Sequence, residues 1–527
     1  MTLSRRDFMR LGGIAPAAAV IPANLAAAPL APRPSVTWAA RTVADLPEPD
    51  LAALLHSRAA FGPRPGDVER VRQMGPAAWL EEQLRPAAID DGVAEAGLAA
   101  LNYTTLTMTA AELLAVEQVG TIVNQLVAAT VYRQAFSRRA LFEVMTDFWS
   151  DHFSVAIRDG QVRYFKTVDD REVIRRHALG GFKPLLTASA HSPAMLEFLD
   201  NAVNFANRIN ENYAREIMEL HTLGVAVDGV PYTEDDIKEV ARCFTGWTIL
   251  RRGGDAALRG TFTFSAGQHD RGVKRVLGHT IPGGRGEEDG LAVIDILCDH
   301  PATARFLATK LVRRFVTDDP GQTPEIVDAV AAAYARTDGD IAAMLRALFG
   351  HAQFAGSFAR FGGKLCRPLD HAARVLRALD VPIASFATAM AEVTSARGAN
   401  FLNATGHVPF YWPTPDGFPD VKEAWSASSG LLARWNLGLR LAGAGPDRRS
   451  AFNPAAQMPA DIARAGAAVD WWIDRLLHRP MLAADRATLV DYLTQGGTDQ
   501  DGLTPAMRAR LPELIALVLD SPYFLWR

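Results

Sequence analysis

Apolar residues along most of this chain recur at three- and four-residue intervals, the spacing that lines one face of an α-helix. Short amphipathic stretches at 51–60, 68–74 and 77–84 are separated by Gly62-Pro63, Pro65-Gly66 and Gly75-Pro76, which stop helices by freeing φ or removing a backbone donor. These predict an N-terminal helical module over 45–100. Longer helical patterns follow at 110–136, 139–153, 169–178, 211–223 and 235–244, and resume at 302–315, 324–335, 341–348 and 367–379. They predict a main helical domain over 101–440.

Strand signal is confined to one region. Thr261-Phe262-Thr263-Phe264 alternates, and Lys274-Arg275-Val276-Leu277 follows it, each bounded by glycine, so a small β-hairpin is expected near 260–280. The periodicity breaks again at 405–425, where four prolines and several aromatics predict an ordered loop. A linker at 443–459 then precedes a C-terminal helical segment over 460–527, with Trp471, Trp472 and Trp526 to pin it down. The fold class expected is mainly α, a large multi-helix assembly with a small β-hairpin insertion.

The first 28 residues read differently. Ser4-Arg5-Arg6-Asp7-Phe8-Met9 and the weakly apolar run to Ala28 have the form of a twin-arginine signal peptide, which implies export of a folded protein to the periplasm or beyond. Gly12, Gly13, Pro16 and Pro22 make this run too short and too broken for a spanning helix, so no transmembrane anchor is expected. The twin-arginine machinery is accordingly an expected partner.

Composition narrows the function classes. Hydrophobic residues are 49% of the 527 and charged residues 22%, ordinary values for a globular protein, and a formal charge of −4 supplies no basic stripe for nucleic acid. Three cysteines, Cys243, Cys298 and Cys366, stand far apart without any C-x-x-C pair, so neither a disulfide framework nor a thiolate zinc site is supported. No G-x-S-x-G elbow occurs, and Gly283-Gly284-Arg285-Gly286 lacks the Lys-Ser/Thr of a phosphate loop.

The richest chemistry lies at 210–224. On a helix, Asn212, Arg215, Glu216 and Glu219 fall within about one third of the circumference, whereas His221 points away from the two glutamates. Thr233 and Asp236 form a capping box for the next helix, whose polar face holds Asp235, Lys238, Glu239 and Arg242. The short connection predicts a helical hairpin with Glu216 and Glu219 opposite Lys238 and Arg242, either as an ion-pair network or as catalytic groups. His152, between Trp149 and Phe153, is the best single acid–base candidate at the rim of an aromatic pocket.

His269 and Asp270 occupy a turn where substrate binding and turn stabilisation are both open readings. In the aromatic loop, Tyr411, Trp412 and Asp416 would suit sugars or other amphiphilic polymers, as flat apolar faces beside a carboxylate. Glu216-x-x-Glu219 offers two hard oxygen donors without the histidine of di-iron helical proteins, and the metal and cofactor requirement stays unknown.

The run from Asn210 to Glu216 with Glu219 and Thr222-Leu223-Gly224, then Tyr232-Thr233 and Ala241-Arg242 to Thr245-Gly246-Trp247, resembles the bacterial family classified as domain of unknown function 1800. Phe148-Trp149 with His152-Phe153, Arg176 to Gly180, His269-Asp270 with Lys274 and Gly278, and Pro301 to Phe306 agree in order. The resemblance covers nearly the whole chain beyond the leader. It implies large, mostly helical, exported proteins of unsettled activity, often encoded beside the exported family classified as domain of unknown function 1501, a possible partner. It implies no catalytic residues. The expected function is a hydrolase or lyase acting on an envelope or environmental polymer through a Glu/Arg/His cluster of His152, Arg215, Glu216, Glu219 and Arg242. The alternatives are a non-catalytic export partner or scaffold and a metal-dependent periplasmic protein.

Overall fold

The Pro368–Ala378 helix explains how the molecule is put together, because every residue of it is buried, including Asp370, His371, Arg374 and Arg377. A helix with one apolar face would leave those charges in water, so its polar face must be met by neighbours able to satisfy them. Arg377 donates to the carbonyls of Gly62 (2.6 Å) and Ser137 (3.3 Å) and to Asp67 (3.1 Å). Arg374 lies 4.7 Å from the ring centre of Phe524. One helix thereby ties the first helical segment to the last.

The computed structural model describes residues 43–225, 232–394, 400–444 and 452–527. The signal sequence expected at 1–28 lies outside the described residues, as does 445–451 of the expected linker; Pro454–Gln457 beyond it is a turn of 3₁₀ helix. From Ala39 to Arg527 the chain forms one compact unit, in which the segments read as an N-terminal module, a main domain and a C-terminal piece are packed together. It is mainly α-helical, with two small two-stranded antiparallel sheets among the described residues. Among the described residues no helix is long and apolar enough to cross a membrane, and the three cysteines are buried free thiols.

Five helices position the chemistry. Helix α1 (Ala140–His152) buries Leu141, Val144, Met145, Phe148, Trp149 and His152 and carries Glu143, Asp147 and Asp151 at four-residue steps along another stripe. Helix α2 (Asn212–Glu216) widens into a π-helical segment, Ile217–Thr222, in which the Thr222 hydroxyl and the Leu223 amide reach back five residues to the carbonyls of Ile217 and Met218. Helix α3 (Glu234–Cys243) starts on the capping box expected of Thr233 and Asp236. Helix α4 (Pro301–Phe315) packs on the π-helical segment and on the Pro324–Arg336 helix, and α5 (Pro368–Ala378) is the buried axis.

The small β-hairpin expected near 260–280 is present, formed by the second of the two runs with the residues that follow it. Strand β1 (Trp247–Ile249) pairs with β2 (Phe262–Phe264), and β3 (Lys274–Val276) with β4 (His279–Ile281), so the two alternating runs pair elsewhere and not with each other. The reason is local. Leu277 and Gly278 both have positive φ (48° and 80°), the conformation of a tight two-residue turn that folds β3 onto the residues after it.

Candidate functional site

The charged residues singled out at 211–242 form two separate clusters. Arg215 grips Glu234 with both terminal nitrogens (3.1 and 2.7 Å) and lies 3.8 Å from Glu211 and 3.7 Å from Glu219, all at the surface. Arg242 pairs with Asp270 (2.9 and 3.0 Å) and Glu239 (2.7 Å), and Lys238 with Asp235 (3.1 Å). The expected facing of Glu216 and Glu219 against Lys238 and Arg242 is therefore corrected. The first turn of α3 brings Glu234, and not its last turn, beside Arg215. Such exposed pairs contribute at most about 1 kcal/mol. Glu216 is buried and Glu219 half-buried, and neither lines the cavity that holds His152. Asn212 begins α2, its backbone amide donating to Asn210 Oδ1 (3.0 Å).

Of the two open readings of His269 and Asp270, the contacts match turn stabilisation. The His269 ring is 1% exposed, with Nδ1 2.8 Å from the carbonyl of Thr245 and Nε2 3.1 Å from Asp289. Asp289 also receives Lys274 Nζ at 2.6 Å, both side chains being fully buried. Asp270 accepts from Arg242 and from the Gly272 amide, closing the knot. The alternation of β3 buries Lys274, and a lysine inside needs this carboxylate.

A different set of groups converges beside His152. A cavity of about 200 Å³ is walled by Phe148, Asp151 and His152 of α1, by Lys310, Arg313 and Arg314 of α4, by Arg367, and by the loop residues from Trp412 to Asp420. Spacings of three and four residues put the α4 cations on one face, and the end of α1 aims Asp151 at the same space. Gly417 seals the loop onto α1. Its φ is +76°, and a Cβ there would stand 2.1 Å from the carbonyl oxygen of Asp151.

Of the aromatic-loop residues, Trp412 and Asp416 line this cavity and Tyr411 does not. The Trp412 indole N–H donates to Asp416 (2.8 Å), which fixes the ring, and its face packs on Phe418 at 5.1 Å. Tyr411 lies under the Arg158 guanidinium, 4.1 Å from its ring centre. His407 stacks on Trp425 at 4.8 Å, so the loop is anchored to the core and only its inner edge offers a binding surface.

Charge in the cavity is unevenly matched. Arg367 bonds Asp151 (2.7 Å), Asp147 and Asp370 (3.3 Å), while Arg314 reaches Asp147 (3.2 Å), Asp370 (3.2 Å) and Asp420 (3.8 Å). Carboxylates thus meet the terminal nitrogens of both arginines, and only their Nε atoms are left without a hydrogen bond. Lys310 and Arg313, both half-buried, make no hydrogen bond or ion pair from their side chains among the described residues; Lys310 Nζ instead lies 5.6 Å from the centre of the Phe306 ring.

Burial pushes the Asp151 carboxyl up to about 7, against the pull of Arg367 and with the help of Asp147. Burial likewise lowers the Lys310 ammonium to about 8, with the charge of Asp151 the largest influence opposing it. His152, the acid–base candidate, does not titrate near neutrality. Burial, then Lys310 and His221, hold it well below the usual histidine range. Its Nε2 lies 3.0 Å from the carbonyl of His221, so the proton sits there and the unpartnered Nδ1 carries the lone pair. His221 faces inward at 6.0 Å from His152, ring centre to ring centre, and is lowered to about 3 by burial and then by Lys310.

Sequence reasoning therefore missed Asp151, Lys310 and Arg313. Asp151 adjoins the chosen His152, and Lys310, Arg313 and Arg314 follow the Pro301-to-Phe306 motif on one helical face, a usable signal. Their meeting across more than 150 residues was not visible. Among the described residues no three His, Cys, Asp or Glu side chains are grouped to hold a metal ion.

Comparison with known proteins agrees with the fold-wide resemblance. The family described as a protein of unknown function, DUF1800, matches residues 54–526. No curated protein and no solved structure matches the chain. The match spans nearly all of the compact unit, both walls of the cavity included, and the chain belongs to the DUF1800 family.

Proposed function

We propose that this protein is an acid–base enzyme, a hydrolase or lyase, that works in the cavity between α1 and α4. The observation that carries the reading is the convergence of the Asp151 carboxylate and the unpaired Lys310 ammonium on one cavity, beside the fixed Trp412 ring. Asp151 as a carboxylate is the base and Lys310 as an ammonium is the acid; burial brings the two towards one another, to about 7 and about 8, so that each can exchange its proton near neutral pH. Asp147 and Arg367 hold Asp151 in place, and the lone pair of His152 Nδ1 lies in the same wall. Glu216, Glu219, Arg215 and Arg242 take structural parts in this reading.

The cavity is smaller than the roughly 300 Å³ at which ligand pockets usually begin, so it suits one ring or branch of a larger molecule. That fits an envelope or environmental polymer as substrate. Export follows from Arg5 and Arg6: replacing both with Lys is expected to leave the precursor in the cytoplasm, and unchanged periplasmic accumulation overturns it. The enzymatic reading is tested by screening the purified protein against glycans, polyesters and peptides, with and without divalent metals. Turnover lost in Asp151→Asn supports it; a parent inert on every class that tightly binds an exported protein of the domain of unknown function 1501 family refutes it.

A further inference from the structure

The cavity holds more positive charge than acid–base chemistry needs. Arg314 and Arg367 are neutralised by Asp147, Asp151, Asp370 and Asp420. Lys310 suffices as the acid, which leaves Arg313 one turn away with a guanidinium that no described carboxylate meets. A half-buried guanidinium without a counter-ion loses hydration and gains nothing in return, unless a ligand brings the anion. Its planar fork matches a carboxylate with two parallel hydrogen bonds.

The rest of the wall narrows what carries that anion. A single carboxylate is balanced by Arg313 alone, whereas a dianion such as a phosphate monoester needs a second cation, and Lys310 is engaged as the acid. Trp412 gives a rigid apolar face and Asp416, exposed, an acceptor for hydroxyls. Ring, hydroxyls and one carboxylate describe a uronic acid. We propose, building on the acid–base reading of this cavity, that its substrate is an acidic glycan, with the uronate carboxylate held by Arg313 and the sugar ring laid against Trp412.

This substrate class also selects between the two reaction types. With its carboxylate paired, the uronate loses acidity problems at the neighbouring carbon: Asp151 takes the C5 proton, a double bond forms between C4 and C5, and the bond from C4 to the bridging oxygen breaks. Lys310 gives its proton to that oxygen. The two groups are then both neutral, and return of the proton from Asp151 to Lys310 restores them. No water is consumed, and the new chain end is an unsaturated uronate that absorbs in the ultraviolet.

The experiment uses the full mature chain with polygalacturonate and alginate, their carboxyl-reduced counterparts, and short oligomers of each, reading binding by calorimetry and cleavage by ultraviolet absorbance. The expected result is binding and elimination of the acidic polymers alone, with affinity for the acidic oligomers reduced at least tenfold in Arg313→Gln and partly regained in Arg313→Lys. Equal binding of acidic and carboxyl-reduced oligomers, or no binding of the acidic ones, overturns the substrate class even if the protein cleaves something else. Arg313-dependent binding without cleavage sustains the substrate class and refutes both the elimination and the acid–base reading on which it is built. A binding loss in Arg313→Gln shared by carboxyl-reduced oligomers marks a merely structural arginine and overturns the assignment.

Discussion

Two buried charged clusters in this molecule have the same ingredients and opposite designs. In the knot of His269, Lys274 and Asp289 every side chain is at most 1% exposed, and the lysine is bonded by a carboxylate and a backbone carbonyl. In the cavity between α1 and α4 a half-buried lysine on a helix has no carboxylate bonded to it, and faces an opening of about 200 Å³. The first cluster is closed and matched; the second is open and holds charge in reserve. A buried ion pair contributes little net stability but is costly to break, so the matched knot serves the fold. An unmatched cation stabilises nothing, and its retention points to a ligand.

The largest effect expected from breaking this contrast is catalytic. Asp151→Asn keeps the shape and leaves Asp147 and Asp370 to hold Arg367, so turnover should fall roughly 10²- to 10⁴-fold while the thermal midpoint stays near the parent's. In the parent, the rate should rise with pH through about 7 as Asp151 loses its proton and fall through about 8 as Lys310 loses its own. A flat profile between pH 6 and 9 would remove both groups from the reaction.

The matched knot should answer in stability alone. Asp289→Ala takes from the buried Lys274 ammonium its one hydrogen-bonded carboxylate, leaving Asp270 at 3.9 Å, and is expected to cost about 3–5 kcal/mol in urea denaturation. Turnover per folded molecule should be unchanged. A midpoint equal to the parent's would mean that water enters the knot.

Acid should separate the clusters next. His221 is lowered from 6.5 to about 3 and His56 to about 4, both mainly by burial, so the unfolded chain binds more protons than the folded one between pH 6.5 and those values. Stability present above pH 6.5 is lost as pH falls through this window, by on the order of 5 kcal/mol for His221 alone. Asp151 acts in the opposite sense, since its raised value makes the folded state bind more protons between about 3.8 and 7. In His221→Asn the acid slope measured by denaturation below pH 6.5 should be shallower; an unaltered slope would mean that His221 does not contribute.

The smallest effect sharpens the comparison most. Lys310→Met replaces an unpaired cation with an apolar chain of similar length against Phe306, and should raise stability by about 1 kcal/mol while abolishing turnover. Lys274→Met in the knot should destabilise instead, because it strands Asp289. Destabilisation by Lys310→Met would show that Lys310 has a structural partner after all.

Periodicity made the helices legible because each buries one face, and this local rule set 139–153, 302–315 and 367–379 close to their observed bounds. Thr233 and Asp236 were equally readable, since a capping box is decided within four residues. The hairpin near 260–280 was legible as a hairpin but not in its pairing, because partners are chosen by turns such as Leu277-Gly278, and alternation alone does not name them. His152 was legible as part of a site but not in its protonation, which burial by Phe153, Phe182 and Phe306 decides.

What the sequence determined by itself is what short-range physics controls: helical class, helix starts and stops, and which faces are apolar. The DUF1800 family membership was likewise carried by residue order, in motifs that keep their identity along the chain. Only the tertiary structure decided which charges meet. Asp151 and Lys310 are 159 positions apart, and whether a carboxylate finds a guanidinium, an ammonium or an empty cavity depends on how α1, α4 and the loop sealed by Gly417 pack. Burial then sets the energy of each charge, because the cost of removing it from water is a property of all the surrounding atoms and of none of its sequence neighbours alone.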